Sequence, residues 1–231
     1  MIGILPPWIL QASTWVLPVL LAVTLHEAAH GFVAWHLGDD TAYRMGRVSF
    51  NPLRHVDPLG TVVLPAFLIM VGAPFLFGWA RPVPVAFHRL RHHRWGMIGV
   101  ALAGPAANLL LAVIAALLAH GTVHLPVNGQ EWVLANIAHA IQLNIMLALF
   151  NMIPIPPLDG GRVVTGLLPQ RLVWRLVRLE RHGLVLLLVL LFVVPAIGHQ
   201  IGADWNLLAW LLRAPATLLH GWILRGTGLM G

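Results

Sequence analysis

The sequence predicts an all-α polytopic membrane protein of about five to six transmembrane helices, and three observations carry that expectation. Of its 231 residues 58% are apolar and only 10% are charged, whereas soluble domains commonly devote about a quarter of their residues to charge. The apolar residues fall into long runs, and a hydrocarbon core about 30 Å thick needs roughly 20 of them per crossing helix. Tryptophans mark the ends of the runs, at Trp8, Trp35, Trp95, Trp132, Trp205 and Trp222, where amphipathic rings anchor at the membrane–water interface.

The first run extends from about Trp8 to Leu37 and is stopped by Gly38-Asp39-Asp40. The second, Leu59 to Gly78, is interrupted by Pro65, Gly72 and Pro74. The third, Trp95 to Ala119, contains Gly99, Ala101, Ala103, Gly104 and Ala107; small residues let helices approach closely, so this run is expected at the centre of a bundle. The fourth, Trp132 to Ile153, ends in Pro154, Pro156 and Pro157, which cannot continue a helix. A fifth run covers about Leu184 to Ile197 and a sixth about Trp205 to Leu224. Between the fourth and fifth, Arg171 to Arg181 alternates arginine with Leu172, Val173, Trp174 and Leu176, the pattern of an interfacial amphipathic helix facing anionic headgroups. No repeat and no soluble appendage is evident. Residues 1–231 read as a single membrane domain, a core of about 8–162 followed by C-terminal helices over about 171–225.

Charge orients these runs. The net charge is +6 and all 14 basic residues other than histidine are arginines, concentrated in 38–57, 79–94 and 159–182, with none in 1–7, 120–131 or 195–204. The positive-inside rule makes the arginine-rich stretches cytoplasmic. Since 38–57 and 79–94 then share one side, Leu59 to Gly78 is expected to be re-entrant, and the other five runs to cross. No basic face or reader motif supports nucleic-acid binding. The absence of cysteine excludes disulfides and thiolate metal sites. The first run has no basic stretch before it and is expected to be retained rather than cleaved as a signal peptide.

Within the first run stands His26-Glu27-Ala28-Ala29-His30. Histidines four apart share one face of a helix, so both imidazoles can reach one metal ion, and the glutamate beside them can serve as general base. Glu27 is the one charged residue between Met1 and Leu37, and an ionisable group inside a membrane segment carries a functional reading by default. Two histidines leave a third protein ligand to find, since hydrolytic zinc sites keep three and an open position. Asp159 follows the proline break in Asn151-Met152-Ile153-Pro154-Ile155-Pro156-Pro157-Leu158-Asp159-Gly160-Gly161. His26 lies about eleven residues, roughly 16 Å, from the cytoplasmic end of its helix, and Asp159 lies at the cytoplasmic end of the fourth run. The two can meet below that surface, whereas Glu131 and Asp204 fall on the far side. The ligand types favour zinc.

These residues resemble the site-2 protease family of intramembrane metalloproteases. The resemblance rests on His26-Glu27-x-x-His30, Gly104-Pro-Ala-Ala-Asn108, and Asn151-x-x-Pro154 leading into Leu158-Asp159-Gly160, together with Asn51 to Gly60 and Phe77 to Val85. It implies one zinc ion per chain held by His26, His30 and Asp159, with Glu27 as base and Asn151 assisting substrate or oxyanion. It also implies a small membrane-associated β-sheet between the first and third runs, and a membrane-protein substrate cut in or near a transmembrane helix at the cytoplasmic side of the cell membrane. Asn108 is expected to pack or bond between helices. PDZ and CBS domains, common in the family, are not found here.

His55 and the His92-His93 pair read as solvated loop residues, and His139 as a residue bonding across helices. Two other functions compete. A metal-binding transporter would need alternating access and commonly repeated halves; a helix-binding scaffold without proteolysis would be marked by loss of the base or a ligand, and all are retained.

Overall fold

In the computed structural model, which describes residues 6–70 and 79–230, every regular element is helical. Five helices are long and apolar enough to cross a membrane: Ile9–His36, His93–His124, Gly129–Asn151, Arg181–Gln200 and Leu207–Gly226. They correspond to the five runs expected to cross, and the chain is a multi-pass membrane protein. In chain order the α-helices are α1 (Pro7–His36), α2 (Thr41–Arg44), α3 (Leu64–Met70), α4 (His93–Ala119), α5 (Val127–Asn151), α6 (Asp159–Leu167), α7 (Gln170–Leu188), α8 (Val194–Gln200) and α9 (Leu207–Gly226).

Helices α1, α4 and α5 pack on one another, and α9 leans on α5. Small residues make this possible. Ala112, Ala115 and Ala116 of α4 are buried against Ile141 and Ile145 of α5 and Ile223 of α9, so backbones approach where larger side chains would hold them apart. The outer faces are as apolar as the inner ones: Val16, Leu17, Val19, Leu20 and Leu21 of α1, and Leu110, Leu117 and Leu118 of α4, are all exposed. A helix apolar on every side belongs in lipid.

The arginine-rich stretch is helical, as expected, and forms the first part of α7, which runs through a π-helical turn, Val189–Val193, directly into α8. Two expectations are corrected. The β-sheet is absent among the described residues. Side chains there take the hydrogen bonds that a ladder would need. Arg47 donates to the carbonyls of Arg54, Arg81 and Pro82, and Arg54 donates to that of Gly46. The amides of Val83 and Ala86 donate to the carboxylates of Glu27 and Asp39, and Pro82 and Pro84 have no N–H to offer. The re-entrant dip of Leu59 to Gly78 is likewise unsupported. Pro58–Val63 forms a π-helical stretch that continues into α3, and residues 71–78 lie outside the described residues. Asp57 starts this run by accepting from the amides of Leu59 and Gly60, with Pro58 in the first turn where its missing N–H costs nothing.

Candidate metal centre

His26, Glu27 and His30 lie in the C-terminal half of α1, and both histidines are buried. Asp159 opens α6, immediately after the turns of Pro154–Leu158. Two glycines set its position. A Cβ on Gly160 would lie 2.5 Å from the Ile153 carbonyl oxygen, and one on Gly161 would lie 2.5 Å from the nitrogen of Pro156. Only side-chain-free residues let α6 start this close to the chain that has just left α5. The other end of α6 is fastened to α4, where Gly166 packs on Ile98 and the Arg94 guanidinium donates to the carbonyls of Gly166, Leu167 and Leu168. Those are carbonyls a helix C-terminus leaves without partners.

The three side chains converge. His26 Nε2 and His30 Nε2 are 3.1 Å apart, and Asp159 Oδ2 is 3.3 Å from each. A four-coordinate zinc with bonds of about 2.0–2.1 Å sets its ligand atoms about 3.3–3.4 Å apart, so this triangle has the dimensions of one tetrahedral face. Asp159 Oδ2 is buried and finds no hydrogen-bond partner, an acceptor that a bound cation would satisfy. Gly104 of α4 leaves the room. A Cβ there would lie 2.7 Å from His26 Nε2 and closer still to His30 Nε2, beside the space enclosed by the ligands.

The remaining ring nitrogens settle the tautomers. His30 Nδ1 lies 2.7 Å from the Val100 carbonyl oxygen, which can only accept, so Nδ1 carries the proton and Nε2 presents its lone pair. His26 Nδ1 donates to Asn108 Oδ1 at 2.6 Å. Both Nε2 lone pairs therefore face the carboxylate with no proton between them, the arrangement in which metal-binding histidines are held by an outer layer of hydrogen bonds. Without a metal, a proton on the imidazoles takes its place: burial pushes the Asp159 carboxyl up, and hydrogen bonds from protonated His26 and His30 together with their charge more than reverse this, holding it well below the usual carboxylate range. His26, His30 and Asp159 thus fit a zinc ion.

Glu27 is half-buried and turned toward residues 79–86, its Oε2 accepting from the Val83 amide at 2.8 Å. Asn151 is not joined to the ligands: its amide donates to the Leu147 carbonyl one turn back on α5 at 3.0 Å. His55 is not solvated but buried, with Nε2 3.0 Å from the Ser49 carbonyl. His139 does bond across helices, 3.0 Å from Thr14 Oγ1 of α1, and stacks on Trp15. His92 and His93 are exposed. Nothing in the sequence marks the Val100 carbonyl, Asn144 or Arg47, and Asn108, expected to pack or bond between helices, also holds His26. A backbone carbonyl leaves no sequence signal, and Arg47 looks like any cytoplasmic arginine until its carbonyl partners are seen.

The profile of Peptidase family M50 matches residues 120–195. YwhC of Bacillus subtilis (strain 168), named as a zinc metalloprotease, is 39% identical over 187 residues, 78% of this chain and 80% of that protein. Rip2 of Mycobacterium tuberculosis (strain ATCC 25618 / H37Rv), also named as a zinc metalloprotease, is 31% identical over 197 residues, 83% of this chain and 70% of that one. No solved structure matches the chain. With the identity to YwhC extending over most of both proteins, and the resemblance to site-2 proteases borne out, the chain belongs to Peptidase family M50 and is a zinc metalloprotease of the membrane.

Proposed function

We propose that the protein is an intramembrane endopeptidase that hydrolyses peptide bonds in or near transmembrane segments of membrane-protein substrates, as a step of regulated proteolysis. One zinc ion per chain is held by His26, His30 and Asp159, and the active site faces the cytoplasmic side of the cell membrane. The observation that carries this reading is the buried triangle of ligand atoms, 3.1–3.3 Å on a side, within a bundle of membrane-crossing helices. A site sunk among such helices meets its substrates in the bilayer. The bilayer and a substrate helix are its partners, and nucleic acid is not.

Zinc supplies Lewis acidity, polarising the scissile carbonyl and acidifying water near neutral pH. The chain's own groups do the rest. Glu27 takes the proton of the attacking water and delivers it to the leaving amine. Its present hydrogen bond to the Val83 amide fixes the direction of the carboxylate. The Asn108 side-chain oxygen and the Val100 carbonyl, which accept from Nδ1 of His26 and His30, keep both Nε2 atoms free of protons. Asn151, at the C-terminal end of α5, would leave its Leu147 carbonyl to meet substrate or the developing oxyanion.

The test is metal content and cleavage of a transmembrane substrate by purified protein, wild type against Glu27→Gln. Zinc near one per chain in both, with cleavage in the wild type alone, is the expected result. Zinc in both with cleavage in neither would favour a helix-binding scaffold, and a chain that takes up no zinc when supplied would overturn the site.

A further inference from the structure

Asn144 lies on α5, a helix that contributes none of the three ligands, and it is 2% exposed. Its Nδ2 donates to the Ala140 carbonyl at 2.8 Å. A carbonyl only accepts, so Asn144 Oδ1 must point the other way, and there it accepts from Asn108 Nδ2 at 2.8 Å. Asn108 is fully buried on α4, and its Nδ2 also reaches the Ala22 carbonyl of α1 at 3.2 Å. Both protons of that amide are therefore used on acceptors, which turns Asn108 Oδ1 toward His26 Nδ1 at 2.6 Å. Two backbone carbonyls thus dictate the direction of every hydrogen bond in the row. The row ends in a His26 that carries its proton on Nδ1 and its lone pair at Nε2.

We propose that Asn144 is a positioning residue for the metal centre, acting through Asn108 to fix the tautomer and ring orientation of His26. Of the two acceptors that hold the Asn108 amide, Asn144 makes the shorter bond, and it is the side-chain one. Without it Asn108 is free to rotate or flip, and a flipped amide would set an N–H against His26 Nδ1 and disfavour the tautomer that binds metal at Nε2. Partners one layer out from a metal commonly change its affinity about 10–100-fold when removed. Acting through a second residue, Asn144 belongs at the lower end of that range.

The inference rests on reading His26, His30 and Asp159 as zinc ligands, and the experiment separates the two. Zinc dissociation constants are measured by chelator competition on the purified full chain, for wild type, Asn144→Leu, Asn144→Asp, Asn108→Leu and the Asn108→Leu/Asn144→Leu double variant. Leucine at 144 keeps the volume and removes the acceptor, and it borders an apolar cavity of about 410 Å³ between α1, α4 and α5 that can take up its shape. It is expected to weaken zinc about tenfold. Aspartate, held protonated by the apolar surroundings, keeps an acceptor for Asn108 and a donor for Ala140, and is expected to bind zinc within about twofold of wild type. The double variant is expected to be no weaker than Asn108→Leu alone, since a relay broken at one link is not broken further at the next. Wild-type affinity in Asn144→Leu, loss of zinc in Asn144→Asp, or additive losses in the double variant would each overturn the inference. If the leucine variant does not fold, Asn144→Ala takes its place and Asn144→Asp still decides. A wild type without zinc would defeat the reading of the site instead.

Discussion

Gly104 shapes the metal centre by what it lacks. Its Cα faces both Nε2 atoms, and any side chain would stand where the ligands meet. Gly104→Ala is expected to leave the apo protein folded, with zinc content by mass spectrometry falling well below one per chain. Glu27→Gln separates binding from chemistry, because Glu27 touches the Val83 amide rather than the triangle of ligand atoms. Cleavage should fall by about 10²-fold or more, the range general base catalysis commonly supplies, while zinc stays bound. Asp159 predicts a pH dependence in the metal-free protein. Its carboxyl titrates below the ordinary range, so its stabilisation is complete above the unfolded value of about 3.9 and is lost as pH falls below it. The difference between thermal melts of metal-free wild type and Asp159→Asn should therefore shrink as pH falls below about 4.

At the scale of elements, residues 79–86 stand out because side chains tie them down rather than a sheet. Arg47, 9% exposed, holds the carbonyls of Arg54, Arg81 and Pro82, and Asp39, fully buried, holds the Ala86 amide. Burial and the neighbouring Arg81 lower the Arg47 pKa, which the Glu27 carboxylate partly offsets; the guanidinium stays charged and its hydrogen bonds stay strong. Arg47→Met should cost about 1–3 kcal/mol for each carbonyl left buried and unpaired, seen as a lower melting temperature and faster proteolysis within 79–86. The same element shows where the sequence stops being legible. The five crossing helices follow from runs of apolar residues, and Pro154 to Pro157 do end α5. The sheet does not follow, because whether Val83 pairs with a strand or with Glu27 depends on a contact between residues 56 positions apart. The join between α7 and α8 was hidden for a different reason. A change from arginine-rich to apolar composition near Arg181 looks like a boundary, but it marks only where one helix enters the membrane. The convergence of His26, His30 and Asp159 was legible because the two histidines carry their own spacing and because few acidic residues could join them, whereas the carbonyls of Val100, Ala22 and Ala140 are written in no side chain.

For the whole molecule, the proposed orientation puts the arginine-rich connections 38–57 and 79–94 on the cytoplasmic side, so reporter fusions in both should give the cytoplasmic signal; an external signal from 79–94 would reverse the proposal. The proposed zinc ligands come from α1 and from the start of α6, with α4 and α5 between them in sequence. A metal that joins such distant points closes a long loop, so a chelator should lower the melting temperature, and hydrogen exchange should rise first in α6. The same separation orders events in time. Asp159 is residue 159 of 231, and until it leaves the ribosome the nascent chain has two histidines and a base but no complete site. The proposed site is therefore completed only after α1, α4 and α5, the helices packed around the histidines, have been made, so the power to cut arrives later than the walls that enclose it.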